Sequence, residues 1–595
     1  MPDNKVNPEI KLPDPKEVSA AMSKIAERSQ KLVQDFLSRQ ASEPTFSMGD
    51  PMNVGAAFFE MTSRLMANPA KLIEAQMSLW ADYMSLWQNT ANRMMGGDAK
   101  AVIAPDKADK RFKDDSWQEN EVFDFVKQSY LLTARCVQKL TNDVDGLDDK
   151  TAKKIDFYTK QFVDALAPSN FVLTNPEVLK KTVETGGENL LKGLNNLLGD
   201  IERGKGKLSI SMTDLDAFKV GENIATTKGR VVYRNDLIEL IQYNPTTEKV
   251  NATPFMIIPP WINKFYILDL KEKNSLIKWA VDQGHTTFVL SWVNPDDKLA
   301  DKNFGDYMFD GPLAAVAEIE KITGQKKVNA MGYCLGGTLL ATTLAYLAAK
   351  KEDKFASATF LTTMVDFKEP GELSVFIDEE QLTALEERMN KKGYLEGHEM
   401  AGTFNMLRAN DLIWSFVVNN YLLGKEPFPF DLLYWNSDST RMPAAMHSFY
   451  LRKMYQENKL VEPGGVEIKG VKIDLRNVKT PCYILSARED HIAPWTSTYA
   501  ANHIYSGPTR FVLSASGHIA GVVNPPAAKK YCYWLNDKKA KTPEEWFDGA
   551  AQHDGSWWTD WNQWVGKYAG EQVDARVTGQ GLEAAPGSYV KVRFT

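Results

Sequence analysis

The sequence predicts an α/β protein: a mostly parallel β-sheet with helices on both faces, preceded by a mostly helical domain. From about residue 226 onward, short apolar runs rich in β-branched and aromatic residues alternate with helical patterns. This alternation is typical of buried parallel strands joined by helices. Before that point, apolar residues recur mainly at helical spacing.

The domain boundaries follow this change in pattern. Residues 1–54 are predicted to be disordered or linker-like, with one short helix, because prolines and charges are frequent there. Residues 55–225 form the predicted helical N-terminal domain, and residues 226–595 form the predicted α/β domain. Within the latter, residues 367–481 keep helical patterns without a clear strand, which predicts a cap inserted over the carboxyl edge of the sheet.

The strand-type runs of the α/β domain come in a regular order. They lie at residues 229–243, 253–260, 286–293, 328–333, 357–365, 482–487 and 510–515. The first run is long enough for two paired strands. Helical patterns separate most of the others, which favours a sheet covered on both faces.

A long helical stretch of the N-terminal domain, roughly 56–96, carries an apolar stripe. Its members are Ile73, Met77, Trp80, Met84 and Trp87, spaced 4, 3, 4 and 3 residues apart. Such a stripe ordinarily packs against the rest of the protein, which is the preferred interpretation. The alternative is a surface for a hydrophobic body or a partner helix, since Met adapts to irregular surfaces and Trp suits wet boundaries.

Composition narrows the classes of function. The 70 basic and 77 acidic residues give a net charge of −7, without the basic excess of a nucleic-acid-binding protein. The four cysteines include no C-x-x-C pair, and neither a secretory signal nor a long apolar run is visible. We therefore expect a cytoplasmic protein with reduced thiols, no transmembrane segment, no metal and no bound cofactor.

The sharpest motif is Gly332-Tyr333-Cys334-Leu335-Gly336, between a predicted strand and a predicted helix. It matches the G-x-S-x-G nucleophile elbow with Cys in the Ser position, and it predicts an α/β-hydrolase fold with a cap insertion. The sharp turn needs glycines on both sides of the nucleophile, and the helix N-terminus favours a thiolate. A buried structural cysteine is the ordinary alternative, but the strand–turn–helix context favours catalysis.

The elbow predicts its partners in the order nucleophile, acid, histidine. Asp490 follows the strand 482–487 and His518 follows the strand 510–515, so Cys334, Asp490 and His518 form the predicted catalytic triad. Asp490 would orient His518 and stabilise its cation.

Other residues compete for these roles. Glu489 could replace Asp490 if the strand end shifts by one residue. His491 directly follows the acid and cannot easily turn back to it, so it is interpreted as a cleft residue, and His503 lies in a helical stretch as a structural residue. The histidines without a triad placement are His285, His398, His447 and His553.

The oxyanion hole is predicted from backbone N–H groups. One donor is the residue after the nucleophile, Leu335, and the second comes from the loop after an early strand. We select Ile262 in that loop, because Pro259 and Pro260 have no N–H to donate.

A cysteine nucleophile paired with histidine suits acyl transfer. Attack on a thioester donor such as an acyl-CoA would form a thioester acyl-enzyme at little thermodynamic cost. The acyl group could then pass to water, as in a hydrolase, or to an alcohol, as in a transferase. The triad alone does not decide between the two.

A long series of motifs resembles one family. The motifs are FDFVKQSYLLT (123–133), ETGGENLLKGLNNLLGDIERG (184–204), PPWINKFYILDL (259–270), WAVDQGHTTFVLSWVNPD (279–296), GYCLGGT (332–338), RANDLIWSFVVNNYLLGK (408–425), LYWNSDSTRMP (433–443), EDHIAPW (489–495), SGHIAGVVNPP (516–526) and APGSYVKVR (585–593). Over roughly residues 115–593 the chain resembles polyhydroxyalkanoate synthases, most closely the single-subunit class I enzymes.

The resemblance implies polymerisation of (R)-3-hydroxyacyl-CoA, such as short-chain 3-hydroxybutyryl-CoA, into a polyester with release of CoA. It assigns the nucleophile to Cys334, the base to His518 and the acid to Asp490, which in this family is proposed to help activate the substrate 3-hydroxyl. It also implies a homodimer in the cytoplasm at the polyester granule surface, in contact with the growing chain and granule-associated proteins.

Two alternatives remain open from the sequence. A thioesterase or esterase could use the same fold and triad. A non-catalytic granule-coating protein is supported only by the N-terminal helices, and the triad in its expected order argues against it.

Overall fold

The computed structural model describes residues 27–28, 31, 54–142, 144–206 and 208–593. The predictions for the first 53 residues therefore lie almost wholly outside the described residues. The chain divides into two units: Met1–Asp214 with Thr403–Pro429, and Leu215–Gly402 with Phe430–Thr595. The first boundary between the units lies at Asp214, whereas the sequence predicts it at residue 225. Residues 403–429, which the sequence assigns to the cap, belong to the helical unit.

The regular elements in the described part of the first unit are helices. Its α-helices are Val54–Ala67, Pro69–Met94, Ser116–Glu119, Glu121–Asn142, Asp149–Ala165, Pro176–Glu184 and Glu188–Arg203, and the helix Gly397–Leu407 enters it from the second unit. Side chains cap several of these helices, including Glu121–Asn142, where Asn120 Oδ1 accepts from the N–H groups of Val122 and Phe123. Asp148 accepts from the N–H groups of Lys150 and Thr151, and Asn175 caps the helix that begins at Pro176.

The helix Pro69–Met94 buries a different face from the predicted one. Leu86 is fully buried, and the Tyr83 hydroxyl lies 2.9 Å from that of Thr133 on the helix Glu121–Asn142. The predicted stripe faces solvent instead, with its five side chains 41–67% exposed. The packed interpretation of the stripe was therefore wrong, because this helix carries two apolar stripes and the neighbouring helix covers the other one.

Polar contacts hold residues 403–429 in the first unit. The π-helical segment Val417–Leu422 lies against the helix Glu188–Arg203. The buried hydroxyl of Tyr421 donates to Asp200 Oδ2 at 2.5 Å, and the Asn189 side chain donates to the Leu422 carbonyl at 2.7 Å. These bonds satisfy groups on both sides that would otherwise be buried without partners.

The second unit is built on strands. They are β1 (Gly229–Arg234), β2 (Ile238–Tyr243), β3 (Lys249–Asn251), β4 (Phe255–Ile258), β5 (Thr287–Trp292), β6 (Val328–Tyr333), β7 (Phe355–Leu361), β8 (Tyr394–Leu395), β9 (Met442–Pro443), β10 (Glu467–Ile468), β11 (Val471–Lys472), β12 (Cys482–Ala487), β13 (Thr509–Ser514), β14 (Cys532–Leu535), β15 (Ala551–Asp554), β16 (Gln572–Asp574) and β17 (Glu583–Ala584).

The main sheet has 11 strands in the order β15-β14-β13-β12-β7-β6-β4-β5-β2-β1-β17. The six strands from β13 to β5 pair in parallel, and the strands at both edges pair antiparallel. All seven predicted strand-type runs lie in this sheet, so the α/β prediction is confirmed. The strand predicted at 357–365 begins at Phe355 and ends at Leu361.

Helices cover this sheet. The α-helices of the second unit are Leu276–Asp282, Phe304–Met308, Ala314–Thr323, Leu335–Lys350, Glu379–Lys392, Asp431–Ser437, Ala444–Tyr450, Trp495–Thr498, Ala501–Ile504, Pro543–Asp548 and Trp557–Gly566. Leu335–Lys350 is buried along nearly its whole length, as expected of a helix packed on the sheet. In the described part of the chain, no helix is long and apolar enough to cross a membrane.

The helix Trp557–Gly566 packs several tryptophans into the second unit. Trp557, Trp558 and Trp561 are all fully buried. The indole N–H of Trp561 donates to the Thr359 hydroxyl in β7 at 2.9 Å. This bond gives a buried polar group its partner within an apolar core.

We predict that Trp561→Phe lowers the free energy of unfolding by about 2 kcal/mol, because the Thr359 hydroxyl loses its partner and the core loses indole volume. Urea denaturation followed by circular dichroism measures the change. Trp80→Phe is the matched control, since Trp80 is 67% exposed and should change stability by no more than about 0.5 kcal/mol. Equal effects of the two substitutions would contradict the prediction.

Candidate active site

Cys334 lies on a strained turn between β6 and the helix Leu335–Lys350. Its backbone has φ +52° and ψ −118°, a conformation that non-glycine residues rarely adopt. The Cys334 N–H donates to the Leu361 carbonyl at the end of β7 at 2.9 Å. The turn thus places the thiol at the carboxyl edge of the sheet, as the elbow predicts.

The glycines of the elbow are required by close approach. A Cβ at Gly332 would lie 2.7 Å from the Gly337 nitrogen, and one at Gly336 would overlap the Ile258 carbonyl oxygen. The start of the helix is therefore pressed against the carboxyl end of β4. A side chain at either position would force these elements apart.

His518 and Asp490 form a hydrogen-bonded pair beside the elbow. The His518 Nδ1 and Asp490 Oδ2 atoms are 2.6 Å apart, and the Asp490 side chain has no exposed surface. The other carboxylate oxygen, Oδ1, accepts from the N–H groups of Ile492 and Ala493 at 2.9 Å each. Glu489 is exposed, so the structure pairs His518 with Asp490.

Electrostatics favour a charged imidazole at this position. Burial alone would lower the pKa of His518, but the charge of Asp490, the neighbouring Cys334 and hydrogen bonds to both raise the pKa well above 6.5. The structure thus pairs His518 with Asp490 and places Cys334 near enough to influence the imidazole, so it brings all three members of the predicted triad together.

Tyr333 supports the imidazole, and the sequence analysis did not single it out. Its ring stacks on that of His518, with centroids 5.6 Å apart, and its hydroxyl donates to the His518 carbonyl at 3.0 Å. Burial, reinforced by Cys334 and Asp490, raises the pKa of Tyr333 well above its usual value, which keeps this donor protonated. In the sequence, the one feature that could have pointed to Tyr333 is its position as an aromatic residue directly before the predicted nucleophile.

The predicted oxyanion donors lie on the two elements that Gly336 brings together. Leu335 is the first residue of the helix, and Ile262 belongs to the loop after β4. Within the described residues, neither N–H donates a backbone or side-chain hydrogen bond. Both therefore remain free to bind a developing oxyanion.

Several of the other histidines have structural contacts. His285 is buried between the side chains of Asn251 and Asn562, and His503 Nε2 lies 2.8 Å from the Ala540 carbonyl. The His553 ring stacks on Tyr533. His447 is fully buried without a hydrogen-bond partner among the described residues, and burial lowers its pKa to about 4.

Aromatic residues of the cap lie close to Cys334. Tyr450 is buried and Tyr455 is partly buried, and both lie near enough to Cys334 for it to contribute to their raised pKa values, after the larger effect of burial. Phe367 packs against both rings. Among the described residues, no group of three or more His, Cys, Asp or Glu side chains is arranged to hold a metal ion.

Two family profiles match this chain. The profile of the alpha/beta hydrolase fold matches residues 260–525, and the profile described as the N-terminus of poly-beta-hydroxybutyrate polymerase (PhaC) matches residues 108–280. Among solved structures, a meta-cleavage product hydrolase from Pseudomonas fluorescens IP01 covers 50% of this chain and 92% of its own, at 11% identity and a TM-score of 0.30.

Curated relatives match over nearly the whole chain. A poly(3-hydroxyalkanoate) polymerase subunit PhaC of Rhizobium meliloti (strain 1021) is 46% identical over 98% of this chain and 96% of its own. A poly(3-hydroxyalkanoate) polymerase of Methylorubrum extorquens is 50% identical over 88% of each chain. The PhaC subunit of Cupriavidus necator (strain ATCC 17699) is 43% identical over 88% and 89%.

The elbow, the sheet and the family profile together define an enzyme of the α/β-hydrolase fold. Because the curated relatives are poly(3-hydroxyalkanoate) polymerases, the enzyme class is narrowed further to acyltransferases. The chain belongs to the poly(3-hydroxyalkanoate) polymerase family.

We predict that Asp490→Asn removes a pH-dependent part of the stability. In the wild type the raised pKa of His518 stabilises the folded state fully below the unfolded value of 6.5. This stabilisation is lost as the pH rises through the folded pKa, because the folded state then releases its extra proton. Asn can still accept from the Ile492 and Ala493 N–H groups.

The difference in melting temperature between wild type and Asp490→Asn should therefore shrink as the pH rises above 6.5 and through the raised pKa of His518. Asp560→Asn is the matched control, because Asp560 pairs with Arg510 at 2.6 Å and the guanidinium keeps its charge. Its effect should not vary over this range. A pH-independent effect of Asp490→Asn would count against the ion pair.

Proposed function

We propose that this chain polymerises (R)-3-hydroxyacyl-CoA, with short acyl chains such as 3-hydroxybutyryl, into a polyester with release of CoA. The single observation that carries the proposal is the assembly of Cys334, His518 and Asp490 at the elbow. The names of the curated relatives support the substrate class and the product.

In the proposed first step, Cys334 Sγ attacks the thioester carbonyl while His518 holds the thiol proton. The bond between the acyl carbon and Sγ forms, the bond to the CoA sulfur breaks, and His518 returns the proton to the leaving thiolate. The N–H groups of Leu335 and Ile262 bind the oxyanion of the tetrahedral intermediate. The product is a thioester acyl-enzyme, and no further cofactor takes part in this scheme.

In the second step, a 3-hydroxyl group attacks the acyl-enzyme and the polyester grows by one ester bond. His518 accepts the hydroxyl proton and transfers it to Cys334 as the thiol leaves. Both oxygens of Asp490 are already engaged, one with His518 and one with two N–H groups. This supports an orienting role for Asp490, with His518 as the base for the incoming hydroxyl.

The surroundings of Cys334 favour transfer to an alcohol over hydrolysis. Tyr450, Tyr455 and Phe367 form an aromatic cluster beside the thiol, and Tyr450 and Phe367 are buried. A dry site extends the lifetime of an acyl-enzyme against water. A thioesterase is the second candidate function on the same triad.

We further propose that the enzyme is a homodimer and acts at polyester granules, together with granule-associated proteins. The exposed stripe from Ile73 to Trp87 supports a granule-binding surface, since its side chains are 41–67% exposed on one helix. Contiguous exposed apolar side chains are typical of binding surfaces. A polyester surface would bury them without needing a specific shape.

The first experiment follows free thiol and turbidity together after (R)-3-hydroxybutyryl-CoA is added to the purified protein. We expect thiol release with growing turbidity. Cys334→Ala should reduce thiol release by more than about 1000-fold, because the nucleophile is lost. Cys136→Ala, which removes a thiol of the helical unit, should leave both signals unchanged.

Two results would contradict this proposal. Thiol release from a solution that stays clear would identify a thioesterase. Acylation of folded Cys334→Ala by radiolabelled substrate would show that another residue is the nucleophile.

The granule surface is tested with Met77→Gln combined with Trp80→Gln. We expect binding to suspended poly(3-hydroxybutyrate) particles to weaken about tenfold. The reason is that binding no longer removes the apolar surface of these two side chains from water. Sedimentation of the particles measures the bound fraction. The matched control is Val577→Gln with Leu582→Gln, two side chains that are 80% and 59% exposed in the other unit; equal weakening by both pairs would contradict the proposal.

A further inference from the structure

The loop after β4 is held by residues of the cap, and one contact bears directly on the predicted oxyanion donor. The Thr440 hydroxyl donates to the Trp261 carbonyl oxygen at 2.6 Å, and Thr440 is 1% exposed. We infer that Thr440 is a positioning residue that aims the Ile262 N–H at the thioester carbonyl. This inference rests on the proposed function, in which Ile262 is an oxyanion donor.

The argument follows from the planarity of the peptide bond. The Trp261 carbonyl and the Ile262 N–H belong to the same peptide unit, so in a trans peptide they point in opposite directions within one plane. A hydrogen bond that holds the oxygen therefore also fixes the direction of the N–H. Without it, the loop peptide could rotate and the N–H would leave the oxyanion position.

The neighbouring peptides are anchored by the same cap segment. The Thr440 N–H donates to the Ile262 carbonyl at 3.5 Å, and Asn263 and Ser439 form an antiparallel β-bridge. The Trp435 indole N–H donates to the Lys264 carbonyl at 2.7 Å. The carbonyls of Trp261 and Ile262, before and after the Ile262 N–H, thus both accept hydrogen bonds from Thr440, while the N–H itself stays free.

A buried cluster of charges anchors the cap segment itself. Lys264 Nζ lies 2.7 Å from Asp438 Oδ1, and these side chains are 2% and 1% exposed. Arg593, near the carboxyl end of the chain, lies 3.2 Å from the same oxygen, and the Tyr266 hydroxyl donates to Oδ2 at 2.8 Å. A buried carboxylate with this many partners has a single favourable position, so the segment that carries Thr440 is fixed on the loop.

The inference predicts a selective defect. Thr440→Val keeps the shape of the side chain but removes the hydroxyl, so acyl transfer through an oxyanion should slow while the nucleophile keeps its reactivity. The probe for acyl transfer is the burst of p-nitrophenol from p-nitrophenyl butyrate. The probe for the thiol alone is alkylation of Cys334 by iodoacetamide, a displacement that forms no oxyanion.

We expect Thr440→Val to slow the burst about 10- to 100-fold, somewhat less than the loss of a whole oxyanion donor, with alkylation within about twofold of wild type. Thr440→Ser should restore most of the burst rate, because it keeps the hydroxyl. Thr343→Val is the matched control: Thr343 is a fully buried threonine whose hydroxyl donates to the Leu339 carbonyl at 2.7 Å. It should change neither rate by more than about twofold.

A second variant keeps the inference testable if Thr440→Val does not fold. Arg593 is 28% exposed, so Arg593→Gln should fold and should show the same selective loss at about threefold, with Arg593→Lys closer to wild type.

Equal loss of acylation and alkylation, or loss of neither, would overturn the inference. The result is separable from the proposed function: a wild type that acylates with p-nitrophenyl butyrate but releases no thiol from (R)-3-hydroxybutyryl-CoA would overturn the polymerase proposal alone.

Discussion

The close approach of the helix Leu335–Lys350 to the end of β4 is the constraint on which the site depends. Gly336 lies so near the Ile258 carbonyl that no side chain fits between them. The chain can reach this position only by turning sharply at Cys334, whose backbone has a positive φ. Strain of this kind costs about 1–3 kcal/mol and persists only where the surrounding structure enforces it. Three features follow from this contact. Cys334 lies partly exposed at the carboxyl edge of the sheet, the N–H at the helix start is free, and the loop after β4 lies close to both.

Fully partnered buried carboxylates complete the site. Asp490 binds an imidazole and two N–H groups, and Asp438 binds Lys264, Tyr266 and Arg593. Because removing one partner from a buried charge costs several kcal/mol, these groups resist rearrangement. One carboxylate therefore fixes the imidazole of His518, and the other fixes the segment that carries Thr440 on the loop after β4. The imidazole and the loop after β4 are thus each held in place by a buried carboxylate with several hydrogen-bond partners.

The central fold could be predicted from the sequence because buried parallel strands are continuous apolar runs. The strands 328–333 and 482–487 have the predicted bounds. The edge strand Ala551–Asp554 could not be found in this way, since all four residues are exposed and no apolar pattern marks them. The stripe containing Trp80 was misassigned for a related reason. Two stripes of helical period share that helix, and only the position of a neighbouring helix decides which of them is buried.

The topology of the sheet brings the ends of the strands before Cys334, Asp490 and His518 to one edge, so the sequence could predict that these three residues meet. Thr440 was not predictable, because its contact is to a backbone carbonyl, and no residue-type pattern marks the partner of a backbone group. That contact also constrains how the enzyme can open. A cap movement that carried Thr440 away would release the peptide of Ile262, the proposed second oxyanion donor. In the proposed mechanism, substrate entry therefore depends on parts of the cap other than the segment from Trp435 to Thr440.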